Sequence, residues 1–406
     1  MAEVKPSIET FAKIKVVGVG GSGGSAVNRM VDAKVPGVDF LAINTDVQAL
    51  HHSRAKGKLQ IGKTTTRGLG SGMNPEVGRK SAEENQNEIR ETLRDSDMVF
   101  ITCGMGGGTG SGASSTVADL ARDAGALTVA VVTKPFSFEG AQRSEIADAA
   151  LAELKGRVDA IIVIPNDRLM QVIDKKTSLL ESFRTCDEVL HQGVRGIAEL
   201  ITVPGLINVD FADVKAILQD AGSALMGIGH GEGDSRAMDA ANAAIENPLL
   251  DLTMDGAKGI LFTVAGSSDM TMHEVNEAAK IITSAADPNA KIIFGAVIDP
   301  DLKDGIRITV VATGFSDKHE ARAAVAAGSR PANYEPTSFL GRGAEKLFGG
   351  ESNENKVEQP PEPRPSTPVV PPKRSTSVVP ENSESSPPDG EDGELEIPAF
   401  IRKKMR

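Results

Sequence analysis

Residues 98–124 read MVFITCGMGGGTGSGASSTVADLARDA, and the order of features in them decides the fold. Met98 to Thr102 is a short apolar run of the kind that forms a strand buried on both faces. Glycine then occupies positions 104, 106, 107, 108, 110 and 112, and Ala113 to Ala124 returns to a helical pattern. Strand, glycine loop and helix in that sequence set a nest of backbone N–H groups beside the positive end of a helix dipole. Such a nest holds an anion.

The same arrangement occurs upstream. Ile14 to Val19 runs into Gly18-Val19-Gly20-Gly21-Ser22-Gly23-Gly24-Ser25 and the helix-compatible AVNRMV. Taken alone this loop is ambiguous. Gly18, Gly20 and Gly23 satisfy the GxGxxG spacing of dinucleotide enzymes, with Asp46 available as a ribose-binding carboxylate. A purely structural tight turn would also serve. Two glycine nests at one edge of a parallel sheet, however, can grip a polyphosphate from two sides. The GxxxxGK[ST] pattern is absent, so phosphate charge falls to N–H groups, helix ends and Mg²⁺ rather than to a loop lysine.

Further strand-like runs, Phe40 to Ile43, Leu127 to Val132 and Ala160 to Ile164, alternate with helical patterns and predict a mainly parallel α/β domain. From Ser178 to Thr202, Leu179, Phe183, Leu190, Val194, Ile197 and Ile201 recur at helical spacing, and Pro204 and Gly205 end the pattern. A second αβ series follows, with strands expected at Ala224 to Ile228, Gly259 to Ala265, Lys291 to Ile298 and Ile306 to Thr313. Two α/β domains joined by a long central helix are the expectation.

Composition narrows the function. A net charge of −12 with no basic stripe argues against binding nucleic acid by phosphate neutralisation. Cys103 and Cys186 are the only cysteines, too few for a disulfide framework or a cysteine zinc site. The first residues lack an apolar signal core, and no run approaches the roughly 18 apolar residues that span a bilayer, so a cytoplasmic setting is expected. Glu351 to Asp392 is rich in Pro, Ser, Glu and Asn, which predicts a disordered linker over 317–393 with a typical span of roughly 50 Å. The chain then closes with GELEIPAFIRKKMR, where apolar Ile397, Pro398, Phe400 and Ile401 return beside Arg402, Lys403 and Lys404. A docking peptide over 394–406 is the reading.

GGGTGSG at 106–112 resembles the signature loop of the tubulin and FtsZ family of GTPases, and its neighbours follow in that family's order. GVGGSGGSAVNRM, AINTDVQAL, GLGSGMNPEVGR and VVTKPFSFEG resemble its other nucleotide loops. IPNDRL, the helix segment from Phe183 to Leu190, PGLINVDFADVK and the terminal IPAFIRKK complete the set. The resemblance covers roughly 13–316. It implies a tubulin-like fold: a Rossmann-type parallel-sheet GTP-binding domain over 13–177 after a flexible segment 1–12, a central helix over 178–204, and an activating α/β domain with a mixed sheet over 205–316.

It also implies roles for particular residues. Gly20, Gly21, Ser22, Gly23, Gly24 and Ser25, with Gly104, Met105, Gly106, Gly107, Gly108, Thr109 and Gly110, would wrap the phosphates of GTP or GDP. Asn44, Gly70, Ser71, Gly72 and Pro135 belong to the accompanying loops. Glu139 and Arg143 match positions on the ribose and phosphate side, and Asn166 and Asp187 match those that read guanine, whose N1–H and N2–H suit a carboxylate. Phe183 would stack on the base, although periodicity alone places it in the core. Ser22 and Ser25 stand where the family commonly has glycine and asparagine.

For hydrolysis, the resemblance points to Asn208, Asp210 and Asp213, supplied to the nucleotide of a neighbouring subunit in a head-to-tail polymer. Without it, Asp210 reads as a helix N-cap. Mg²⁺ would be held mainly through the phosphates. Partners implied are further copies of this chain and, through the terminal peptide, membrane-anchoring adaptors and division regulators at mid-cell. A dinucleotide-dependent oxidoreductase and a nucleotide-binding scaffold without turnover are the competing readings.

Overall fold

Val16 and Val17 are neighbours in the chain, both are buried, and they belong to two different hydrophobic clusters. Successive side chains of a strand point to opposite faces, so this strand is covered on both sides, and for that reason its sequence reads as continuously apolar. The computed structural model describes residues 12–172, 177–246, 254, 256–299 and 302–315. The expected N-terminal segment, linker and terminal peptide, with Ile397, Pro398, Phe400, Ile401 and Arg402, lie outside the described residues.

β1 (Ile14–Val19) leads into α1 (Gly20–Asp32), and β2 (Val38–Asn44) into α2 (Val47–His52). The short β3 (Gly57–Gln60) and helices α3 (Lys63–Thr66), α4 (Pro75–Glu84) and α5 (Gln86–Leu93) precede β4 (Met98–Gly104). Then come α6 (Gly108–Asp123), β5 (Leu127–Lys134), α7 (Ala141–Lys155), β6 (Ala160–Pro165) and α8 (Asn166–Val172). The long α9 (Leu179–Thr202) is followed by α10 (Phe211–Leu218), β7 (Gly222–Glu232) and α11 (Arg236–Ile245). β8 (Gly259–Gly266), α12 (Met272–Ser284), β9 (Lys291–Ile298) and β10 (Gly305–Thr313) complete the described elements.

One sheet of ten strands runs through the molecule in the order β3-β2-β1-β4-β5-β6-β7-β10-β8-β9. From β3 to β6 every pairing is parallel. β7 links this set to the rest, pairing parallel to β6 from Ala160↔Gly222 to Ile162↔Ala224 and antiparallel to β10 farther along. β10 is antiparallel to β8, and β8 parallel to β9, so the second half is mixed, as expected. β3 has no counterpart in the sequence reading, since GKLQ carries a single large apolar side chain.

On one face of the parallel half, Ala26, Val27 and Met30 of α1 and Leu190, Val194 and Ile197 of α9 cover the strands. On the other, α4 to α7 contribute Ala82, Ile89, Leu93, Val117 and Leu154. Ser178 caps α9 by accepting the Glu181 N–H at 3.2 Å, which fixes the start the sequence predicts. Each of the fully buried Leu190, Val194 and Ile197 contributes about 1.5–3 kcal/mol of apolar burial. Two glycines let this helix lie close to both halves of the sheet. A Cβ on Gly193 would come within 3.0 Å of Met226 on β7, and one on Gly196 within 2.6 Å of Thr309 on β10.

The two glycine loops are shorter than the sequence suggests. α1 begins at Gly20 and α6 at Gly108, so Gly21 to Ser25 and Gly108 to Gly112 already lie in helical turns. Glycine costs about 1 kcal/mol in a helix relative to alanine, which makes a sequence reading start each helix late.

Candidate functional site

Strands β1, β4, β5 and β6 are parallel neighbours, so Val19, Gly104, Lys134 and Pro165 end at one edge of the sheet. The glycines gathered there divide by what surrounds them. A Cβ on Gly18 would sit 2.4 Å from Gly23 O, and one on Gly23 would sit 2.3 Å from Thr102 O, so these two seat α1 on β1 and β4. Gly21, Gly24 and Gly107 have nothing within 4 Å of such a Cβ and border open space.

The N–H groups divide in the same way. Gly104 N–H is donated to Ser22 Oγ at 2.8 Å, Met105 N–H to Thr133 O at 2.9 Å, and Gly106 N–H to Ser111 Oγ at 2.9 Å. Those donors are spent within the protein. The donors left for an anion therefore fall in the first turn of α6, at Gly108, Thr109 and Gly110, and in the first turn of α1 opposite. Gly20 lies at φ 76° and would meet Gly110 N at 3.0 Å if it carried a Cβ, so the two helix starts nearly touch. The Met105 side chain is buried in the core.

Thr109 anchors a small hydroxyl cluster, with its Oγ1 2.7 Å from Thr45 Oγ1 and 2.9 Å from Ser71 Oγ. This brings the loop of Gly70, Ser71 and Gly72 over the start of α6; Gly70 and Gly72 have φ of 85° and 58°, conformations that favour glycine. Thr45 was not singled out by sequence, although its place after Asn44 at the carboxyl end of β2 is the available signal. Asn44 is buried and accepts the Asp46 N–H at 3.2 Å. Asp46 spends Oδ1 on capping α2, through Gln48 N–H at 2.8 Å and Ala49 N–H at 3.3 Å. That cap gives Asp46 a structural role at the start of α2.

Farther along the edge, a Cβ on Gly106 would meet Arg143 O at 2.8 Å and Pro135 Cγ at 3.3 Å, so these residues share one corner. Glu139 accepts the Phe136 N–H at 3.0 Å and pairs with Arg143. Asn166 opens α8, is buried, and its Oδ1 has no hydrogen-bond partner. Leaving a buried acceptor unmade costs about 1–3 kcal/mol, a cost that a ligand N–H would relieve. Phe183 is 44% exposed rather than a core residue, and lies edge-on to Phe136 at 5.8 Å. Asp187 shares a cleft of about 610 Å³ with Ser25, Arg29 and Glu188. Burial pushes the Asp187 carboxyl up to about 6, against the opposing charge of Arg29. Arg29 was also missed by sequence, although it lies one turn after Ser25 on α1.

Asn208, Asp210 and Asp213 are not part of this edge. Asp210 and Phe211 line a different cleft, with Lys13, Asp97 and Gly125, at the starts of β1, β4 and β5. Asp210 occupies the N-cap position of α10 but makes no side-chain capping bond, and both it and Asp213 are exposed. Asn208 Oδ1 accepts the Gly205 N–H at 2.6 Å and shapes its own loop. Among the described residues no cluster of three or more His, Cys, Asp or Glu could hold a metal ion, and no helix is long and apolar enough to cross a membrane.

Comparison with known proteins bears on the family and the fold. Residues 13–174 match the model of the Tubulin/FtsZ family GTPase domain, and residues 222–316 that of the FtsZ family C-terminal domain. Among solved structures, the chain is similar to the empty FtsZ dimer of M. jannaschii, with 46% identity over 76% of this chain and 90% of that one and a TM-score of 0.73. A mutant form of FtsZ from M. jannaschii matches at 47% identity over 75% of this chain and 91% of that one, with a TM-score of 0.72. CetZ2 from Haloferax volcanii, solved as a GTPγS-bound protofilament, shares the fold at 22% identity, covering 78% of this chain and 98% of that one, with a TM-score of 0.65.

Proposed function

The chain belongs to the FtsZ family of tubulin-like GTPases, and from that premise we propose that it polymerises head to tail and hydrolyses GTP at each junction between subunits. The observation that carries this reading is the separation of two sets of groups. The glycine turns, Asn166 and Asp187 lie at the carboxyl edge of the parallel strands, whereas Asp210 lines a cleft at their amino edge. Between Asp187 and Thr202 the helix α9 alone spans roughly 22 Å at 1.5 Å per residue. Carboxylates that far from the nucleotide cannot activate water for their own subunit.

A second subunit removes the difficulty. The first turns of α1 and α6 take the phosphates, Glu139 and Arg143 the ribose side, Asn166 and Asp187 the guanine, and Phe183 the face of the base. Asn166 Oδ1 and the Asp187 carboxylate are acceptors, and guanine presents N–H donors where adenine has no such pair. Asp210 and Asp213 of the adjoining subunit then orient and polarise the attacking water, with Asn208 shaping the loop that carries them. Magnesium would supply charge neutralisation on the phosphates and be held through their oxygens, since no carboxylate cluster is offered for it among the described residues.

Such a contact joins two different surfaces, so it propagates as a filament rather than closing as a dimer. In this reading 13–177 binds GTP, 205–316 activates it in the neighbour, and 178–204 connects the two. The filament builds the cytoplasmic division ring beneath the membrane at mid-cell, and the terminal IPAFIRKK peptide docks adaptors and regulators. M. jannaschii FtsZ, solved as a dimer, supports self-association.

Asp213→Ala tests the shared site directly. Phosphate release should fall by roughly a hundredfold or more, the typical contribution of a positioned acid or base. GTP binding should be retained, and light scattering should show longer-lived filaments. Turnover at the wild-type rate would remove the mechanism.

A further inference from the structure

The turn between β4 and α6 is tied to a second helix by one side chain. Gly104 donates its N–H to Ser22 Oγ at 2.8 Å, and Ser22 sits in the first turn of α1. The approach is close, for a Cβ on Gly104 would come within 2.4 Å of that oxygen. Gly21 and Gly24 on either side border open space, so the Ser22 hydroxyl projects where the neighbouring glycines offer only backbone. It is exposed at the edge that carries the phosphate-binding turns, and this is its one hydrogen bond among the described residues.

A serine hydroxyl has one proton to donate and two lone pairs to accept with. Here a lone pair is taken by Gly104, which leaves the proton for another acceptor. Accepting a hydrogen bond also polarises the hydroxyl and makes it a better donor. We propose that Ser22 relays the Gly104 N–H to the polyphosphate of the bound nucleotide, its hydroxyl donating to a phosphate oxygen. A glycine at this position would leave the Gly104 N–H set back from the ligand, with nothing to carry the donor forward. The inference rests on the proposed GTP site and assigns one side chain within it.

The test uses the full chain with Ser22→Ala, Ser22→Gly and Ser22→Thr, titrated with GTP and with GDP by calorimetry. Hydrogen bonds to charged groups are the strong ones, so the alanine and glycine variants should bind both nucleotides about tenfold or more weakly. The threonine variant keeps the hydroxyl and should bind as the wild type does. In steady state KM for GTP should rise while kcat changes little, and the melting midpoint without nucleotide should stay in place, which a merely structural clamp would not allow. Wild-type affinity in the alanine or glycine variant, or a weakened affinity matched by a lowered nucleotide-free melting midpoint, would overturn the relay. A wild-type chain that fails to bind GTP would overturn the proposed site itself, and the relay with it, before any variant is compared.

Discussion

Asp187 carries two opposed demands on one carboxyl. Burial raises it to about 6, Arg29 on α1 opposes that, and the cleft around it also presents Asp32, His52, Arg54, Arg184 and Glu188. Glu188 is held down to about 2, first by its hydrogen bond from His191 and then by that from Gln192. Guanine N–H donors need the ionised form of Asp187, so GTP affinity should fall as the pH is lowered from 7 to 5. Stability without nucleotide runs the other way. A carboxyl raised in the folded state from 3.8 to about 6 binds more protons folded than unfolded within that window, so its destabilising effect is complete above 6 and fades as the pH falls toward 3.8. Asp187→Asn should therefore stabilise the nucleotide-free protein at pH 7.5 by about 1–2 kcal/mol in urea, while weakening GTP binding and flattening its pH dependence. An asparagine variant that kept the wild-type pH profile would show that another group titrates. From sequence, Asp187 and Asn166 stand out through the family resemblance alone, because helical spacing gives a polar residue no address. The unpartnered Asn166 Oδ1 and the buried Asp187 carboxyl exist only once α8 and α9 are folded against the sheet.

At the scale of elements, glycine is the residue that misleads a reading by propensity. Gly112 lies inside α6, where alanine would ordinarily be better by about 1 kcal/mol. Its Cβ would stand 2.0 Å from Pro75 O and 2.8 Å from Arg79 N, both backbone atoms of α4. Gly78 mirrors it from the other helix, 2.3 Å from Gly108 O. Backbone cannot swing aside as a side-chain tip can, so α4 and α6 must separate, and overpacking of this kind costs about 1–3 kcal/mol or more. The steric cost exceeds the propensity gain. Gly112→Ala should lower the urea midpoint, whereas Gly24→Ala, with open space around its Cβ, should leave it unchanged or raise it slightly. Equal midpoints for the two variants would mean that the helices are not held this closely. The same contacts explain which parts of the fold the sequence shows. The strands and α9 announce themselves by apolar periodicity, but the starts of α1 and α6 depend on packing partners distant in sequence. β3 depends on its neighbour β2 in the same way.

At the scale of the whole molecule, the sheet has two edges with different chemistry, and nothing in the order of residues says which groups share an edge. Asn208, Asp210 and Asp213 follow Asn166 and Asp187, the residues proposed to read the base, closely in sequence, yet the rest of α9 carries the chain to the opposite edge before they appear. The β6–β7 pairing that makes the two halves one sheet rests on three residue pairs, too few to be seen as a pattern. If hydrolysis needs both edges from different chains, two inactive chains should rescue each other. A chain with Asp213→Ala keeps its nucleotide site but offers no catalytic loop. A chain with Asp187→Ala and Asn166→Ala keeps its loop but cannot hold guanine. Each alone should show little phosphate release. Mixed in equal amounts, random head-to-tail contacts place an intact pocket against an intact loop at roughly a quarter of junctions, because the contact joins two unlike surfaces. Phosphate release should then recover toward about a quarter of the wild-type rate, and should fall on dilution as junctions come apart. A site complete within one subunit gives no recovery at any mixing ratio, so additive residual rates in the mixture would end the shared-site account.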